Sequence, residues 1–471
     1  MRIQSSPALV PLLVLALSTL SACVDEKVVF EDPTDDPGEV PTASAGFIGY
    51  QDHAAKLTLC GNCHVGAQAD WRLTKHSVAW ENLQKSGHAV ESCEGCHSTN
   101  ELGNSATALG GFLATRDKRY EDVQCESCHG PGLVHAGAPS NANVPQAPLA
   151  AGTLLSTGCG ECHRTAHTPF LEEWSSSKHI RLSALAANAE CTACHSGDGA
   201  LRAWGVNTEF AEQATTTGRV AVTCAVCHDP HGSKNPAGLR LPVDATSLQG
   251  NLCMTCHQRR AVPDPNSLVG PHSPQGPTLL GSAGWWPAGM SKTIVSTHGT
   301  PSANPGLCAT CHVYPFDVKD ASGAVTYRST GHTFQAIPCL DPSGRPLGGV
   351  ECADTQRSYA SCTGSGCHAN QDVARSVAAA GRTRIARLLV ELKGLLDKVP
   401  ANQFNPGDPT ITVAEGASFN RELALMDGTV MHNPYLTEQL LIVSIQELQR
   451  AYGLSVAADL MLDPQFDLPG N

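Results

Sequence analysis

From about residue 371 onward the apolar positions fall into a helical rhythm. Ile385, Leu388, Leu389, Leu392, Leu395, Leu396 and Val399 recur at the spacing of one helix face, and Pro400 ends the run. A second helix is predicted from Pro434. Asn433 offers an N-cap, Pro434 suits the first turn, and Leu436, Leu440, Leu441, Ile445 and Leu448 supply an apolar face. The two helices are expected to pack together, making 371–471 a helical C-terminal segment. Upstream no comparable period runs through the chain. Pro and Gly punctuate 261–307, around Trp285 and Trp286, and predict long loops. Residues 23–45 are rich in Asp, Glu, Pro, Thr and Gly and read as a flexible acidic tether. Before it stands an apolar run from Ala8 to Leu20, behind Arg2, too short to be a good membrane-spanning helix.

A chain of 471 residues predicts two to four domains, yet only 5% of it is aromatic, so a conventional core would be modest. The formal net charge of −13 argues against nucleic acid as a partner. It is compatible with a basic protein partner, a mineral surface, or simple solubility. What changes the picture is 21 Cys and 20 His.

Sixteen of the cysteines fall into eight copies of C-x-x-C-H. They are Cys60, Cys63 and His64; Cys93, Cys96 and His97; Cys125, Cys128 and His129; Cys159, Cys162 and His163; Cys191, Cys194 and His195; Cys224, Cys227 and His228; Cys253, Cys256 and His257; and Cys308, Cys311 and His312. Chance would give the pattern about 0.04 times in a chain of this composition. Zinc sites and disulfide frameworks do not require a His directly after every second Cys. Covalent haem c does. Positions i and i+3 share a helix face, so both thiols reach the porphyrin vinyl groups, and the adjacent His lies under the iron as proximal ligand. Each porphyrin would also supply apolar mass that the sequence lacks.

Cys362, Cys367 and His368 form C-x4-C-H, with two Gly easing the longer loop between the thiols. This spacing predicts a ninth haem; a disulfide involving either Cys is the other reading. Cys339 and Cys352 are then left as an even remainder, which in an exported protein favours a disulfide between them. The motifs also reveal a duplication. Cys159, Cys191 and Cys224 follow Cys60, Cys93 and Cys125 at offsets of 99, 98 and 99 residues. Trp71, Lys75 and His76 recur as Trp174, Lys178 and His179, and His135 and His231 each follow their motif closely. The expected organisation is a trihaem module over 46–150, a second over 151–250, and a C-terminal haem region over 251–370.

Nine proximal His leave eleven for the opposite axial positions. Met is scarce, so bis-His ligation is expected throughout, without the potential-raising Met ligand. His76 and His179, and His135 and His231, are favoured because they recur in the duplication. His298, His332 and His432 stand in haem-poor stretches, and His53 completes the preferred set. His88 and His167 lack counterparts in the other repeat and are the expected spares, while His272 carries no particular signal.

These motifs resemble the bacterial multihaem c-type cytochromes with doubled CXXCH motifs. Cys125–His129 followed by Gly-Pro-Gly, and Cys224–His228 followed by Asp-Pro-His231-Gly, carry the resemblance. His432-Asn433-Pro434 before a helix is distantly similar to a segment of the pentahaem nitrite reductase and hydroxylamine oxidoreductase relatives. The resemblance implies electron transfer and a mainly α architecture with extensive irregular loops and a haem-packed core. The C-x-x-C-K catalytic motif usual in pentahaem nitrite reductases is absent from the sequence. The expectation is therefore an electron-transfer protein; the other function class is a reductase or dehydrogenase of a nitrogen or sulfur oxyanion with one open haem. Leu20-Ser21-Ala22-Cys23 resembles a bacterial lipobox, which implies cleavage of a 1–22 signal peptide and lipid on Cys23. Val24, in place of Asp, leans towards the outer membrane. Redox proteins are the implied partners, the lipid is the implied membrane contact, and a larger conduit of several copies is a further option.

Overall fold

A computed structural model describes residues 43–151, 157–164, 168–206, 209–214, 219–267, 269–364, 366–405 and 410–455. The chain is mainly helical with irregular loops. Most helices are single turns. Strands are confined, among the described residues, to three two-stranded antiparallel pairs. β1 (Tyr50–Asp52) pairs with β2 (Leu57–Thr58), β3 (Phe316–Lys319) with β4 (Val325–Ser329), and β5 (Cys339–Leu340) with β6 (Pro346–Leu347). A disulfide joins Cys339 to Cys352, closing the loop that follows the last pair.

The duplicated part is held by few apolar contacts. Phe47, Phe112 and Tyr120 make one small cluster, and Leu149, Leu201, Phe210 and Val226 make another. The repeats share a tertiary bond. In helix α1 (Val65–Trp71) the Trp71 indole donates to the Val123 carbonyl at 2.9 Å; in helix α2 (Phe170–Ser176) the Trp174 indole donates to Val222 at 2.9 Å. Each Trp thus fixes its helix to the residues just before the third motif of its own module.

The conventional core lies at the C-terminal end, among helices α3 (Gln371–Leu396), α4 (Val413–Leu425) and α5 (Pro434–Tyr452). Each has a side-chain cap that fixes where it begins. The Asn370 side chain accepts from the Val373 N–H, Thr412 and Glu415 form a capping box, and the Asn433 side chain accepts from the Leu436 N–H. Gly453, at φ 64°, ends α5 in the left-handed region. Ile385, Leu388, Leu392 and Leu395 of α3 meet Leu441, Ile445 and Leu448 of α5, as their spacing predicts.

Within the helical segment expected over 371–471, the apolar spacing singles out α3 and α5 but not α4. Its contribution to this core is Ala414, Ala417 and Ala424, small residues that let the helices approach but leave a faint hydrophobic period. Helix α4 also receives the loop before it in space. Asn420 accepts from the Trp285 N–H and donates to the Trp285 carbonyl, and the indole covers Gly416, where a Cβ would collide with it. The Pro- and Gly-rich stretch is therefore pinned to the helices. Among the described residues no helix is long and apolar enough to cross a membrane.

Leu441 is fully buried between α3, α4 and α5. Leu441→Ala is expected to destabilise the protein by about 2–5 kcal/mol. Thermal unfolding followed by far-ultraviolet circular dichroism checks this, with cofactor content per chain unchanged.

Candidate cofactor sites

Sites are numbered here by motif order, 1 to 9. Each motif bends into a tight helical turn. At sites 1, 4, 5, 6 and 7 the His N–H donates to the carbonyl of the first Cys, at 2.9–3.1 Å. This turn brings two sulfurs and one imidazole to the same side of the backbone. Site 9 reaches the same closure despite its longer loop: the His368 N–H donates to the Cys362 carbonyl at 3.2 Å. With Cys339 and Cys352 bonded to each other, Cys362 and Cys367 lie outside the disulfide.

Among the described residues, a second imidazole lies opposite eight of the motif histidines. His64 faces His135 with ring centres 6.5 Å apart, and His129 faces His231 at 6.1 Å. His163 faces His76 at 6.0 Å, and His257 faces His179 at 6.4 Å. His195 faces His272 at 5.9 Å, and His228 faces His332 at 6.4 Å. His312 faces His432 at 6.0 Å, and His368 faces His298 at 6.5 Å. Such spacing is too wide for stacking contact. It is the spacing of two imidazoles holding one metal: two metal–nitrogen bonds of about 2.0–2.1 Å plus the ring radii put the centres about 6.3 Å apart.

The outer nitrogens carry the same message. Nδ1 of His129 lies 2.8 Å from the Pro145 carbonyl, that of His228 2.8 Å from Ala237, and that of His312 2.9 Å from Phe334. Nδ1 of His97 is 3.0 Å from the Ala79 carbonyl, and that of His298 is 2.6 Å from Met431. A carbonyl can only accept, so Nδ1 carries the proton in each case and Nε2 is left with a bare lone pair, the form that binds metal. Burial acts in the same direction by disfavouring the imidazolium. It lowers His76 and His179 to about 4 and His432 to about 3, with neighbouring His adding to each shift. His231 is the exception, because its hydrogen bond to Asp229 raises it.

These features fit haem c. Large apolar side chains also stand bare beside the ring pairs: Val65 next to His64 is 65% exposed, and Val134 next to His135 is 71% exposed. A flat hydrophobe between the rings would cover such positions. The cysteine pairs would hold its edge and the histidine pairs its iron; none of the nine motifs lacks its thiols.

Two histidines stand differently from the pattern that the sequence suggests. His53 is not opposite a motif histidine. Its Nε2 is hydrogen-bonded to the Glu121 carboxylate at 2.7 Å, and its ring meets Tyr50 edge-on at 5.4 Å. His272, without a sequence signal of its own, faces His195. His88 is exposed, and His167 lies outside the described residues, as does Cys23.

Contacts between sulfurs place the sites in order. The thiols of Cys60 and Cys125 are near enough to perturb each other's acidity, as are those of Cys96 and Cys162, Cys159 and Cys224, Cys194 and Cys256, and Cys253 and Cys308. Cys128 also feels Cys159, Cys253 feels Cys227, and Cys311 feels Cys362. Sites 1, 3, 4, 6, 7, 8 and 9 therefore form a continuous series. Site 2 adjoins site 4, and site 5 adjoins site 7. The contacts 1–3, 2–4 and 3–4 of the first module recur as 4–6, 5–7 and 6–7 in the second. Among these cysteines only Cys63 and Cys367, at the two ends of the series, are exposed.

Comparison with known families agrees with this geometry. A family model described as cytochrome c554 and c-prime matches residues 59–130, which hold sites 1 to 3. A model described as a doubled CXXCH motif matches residues 218–262, which hold sites 6 and 7. No curated protein and no solved structure matches the chain. The two matches support a multihaem c-type cytochrome family for this chain, and with it haem c binding and a role in electron transfer.

Proposed function

We propose that the chain is a nine-haem electron carrier of the bacterial cell envelope, bis-His at its irons and tethered by lipid on Cys23. Haem c, when bound, supplies a one-electron Fe(III)/Fe(II) couple. The chain's own residues do the rest. The paired thiols would fix each macrocycle edge, and the opposed imidazoles would hold the iron from both sides. The observation that carries the reading is the eight opposed histidine pairs among the described residues, because at those eight sites an imidazole on each side would leave no axial position for a substrate. That favours electron passage between partner proteins over chemistry on a nitrogen or sulfur oxyanion. Exposure of Cys63 and Cys367 supports entry and exit at the two ends of the series. The lipobox-like Leu20–Cys23 supports an envelope location, with Val24 favouring the outer membrane. Anaerobic or extracellular respiration is the setting such a carrier suits.

Intact mass of the mature protein should correspond to nine covalent haems; a mass for eight would remove the site at Cys362 and Cys367. Native protein should bind neither carbon monoxide nor nitrite at iron. His179→Gly should open site 7 alone, giving one equivalent of carbon monoxide binding by absorption spectroscopy. Stoichiometric binding to the unaltered protein would put the enzymatic reading first. Cys23→Ala should release the protein from membranes with its haem spectrum unchanged, and an unlipidated mature N-terminus would overturn the anchor.

A further inference from the structure

Glu173 is a carboxylate with 2% exposure, set on α2 one residue before Trp174. Every hydrogen bond of its carboxylate among the described residues is accepted, and all come from a single distant segment. Oε1 accepts from the Tyr327 hydroxyl at 3.1 Å and from the Thr330 N–H at 3.1 Å. Oε2 accepts from the Thr330 hydroxyl at 2.7 Å and from the His332 N–H at 2.8 Å. The Thr330 carbonyl and hydroxyl in turn lie 3.1 Å from His332 Nδ1. One face of α2 thus grips the turn after β4 and sets the ring of His332, which faces His228 of site 6. Three residues earlier on the same helix, Phe170 meets the His332 ring edge-on at 4.8 Å. Among the described residues no lysine or arginine bonds Glu173. Its charge is compensated by neutral donors beside a metal ligand, where the local dielectric is low.

We propose that Glu173 is the positioning residue of site 6, orienting His332 and holding that site at a lower reduction potential than it would have with a neutral residue. The proposal rests on the bis-His reading of site 6. Orientation follows from the bond to the His332 N–H and from Thr330, which bonds both the carboxylate and the ring nitrogen. The lower potential follows from the fixed negative charge, which favours the ferric over the ferrous state. A carboxylate that merely pinned the hairpin would change stability and leave the couple where it was.

Redox titration of the holoprotein, followed by electron paramagnetic resonance, tests this. The site 6 component is identified first as the low-spin signal that His332→Gly removes. In Glu173→Gln that component should titrate higher, with its oxidised-to-reduced ratio at fixed potential falling at least about tenfold, roughly 59 mV for a one-electron couple. The other components should stay in place. Thr330→Val keeps the charge and breaks only the hydroxyl link, so it should alter the site 6 g-values with a much smaller shift in potential. If Glu173→Gln leaves the component unmoved, or Thr330→Val moves its potential as far, the assignment to Glu173 is wrong. If His332→Gly removes no low-spin signal, the reading of site 6 itself fails.

Discussion

Opposed imidazoles are the constraint on which the rest of this structure depends. A chain with little conventional core over its first three hundred residues must still overcome the entropy of ordering long irregular loops. Here ring pairs join segments far apart in sequence: His129 with His231, His228 with His332, His312 with His432. Closing loops of that length costs only slightly more than closing short ones, whereas each metal bond formed is strong and local. With haem c bound, the thiols would anchor one end of such a link and the second imidazole the other. Backbone that would elsewhere need a hydrophobic face can then remain loop. Among the described residues, the largest ordinary apolar core is that of α3, α4 and α5, and the clusters elsewhere are small.

Much of this was legible in the residues, and the exceptions have physical reasons. C-x-x-C-H announces itself because its chemistry needs three residue types at fixed spacing. His76 and His179 were readable because the duplication repeats their surroundings, and both sit opposite the first motif of the following group, at sites 4 and 7. The first module has no predecessor to offer such a histidine, and His135 of the same module faces His64 instead. His231 holds the corresponding place in the second module yet faces His129. Repetition in sequence therefore did not guarantee repetition in role. His272 lies in a loop whose fold is set by contacts the sequence does not advertise, and His53 was taken by Glu121. Helix α4 went unseen because alanine packs well but signals weakly.

The spatial order of the sites adds what no linear reading could supply. Each module contributes two sites to a continuous series and sets one aside, site 2 beside site 4 and site 5 beside site 7. Sites 8 and 9 then continue the series towards α3, whose first turn follows directly after His368. Cys362 of the last site packs with Tyr359 against Ala374 and Ala378 near the start of α3. Buried polar groups such as Glu173 join the modules to the later hairpins, so ligand geometry at one site is set by residues from another part of the chain.

Near-infrared magnetic circular dichroism of the fully oxidised native protein tests the central claim most directly, since it reports the axial ligand pair of ferric haem. Imidazoles on both sides of the irons predict the bis-imidazole charge-transfer band at an intensity matching the haem count found by mass, with no high-spin ferric component. A thioether-type band, or a high-spin signal approaching one haem per chain, would contradict it.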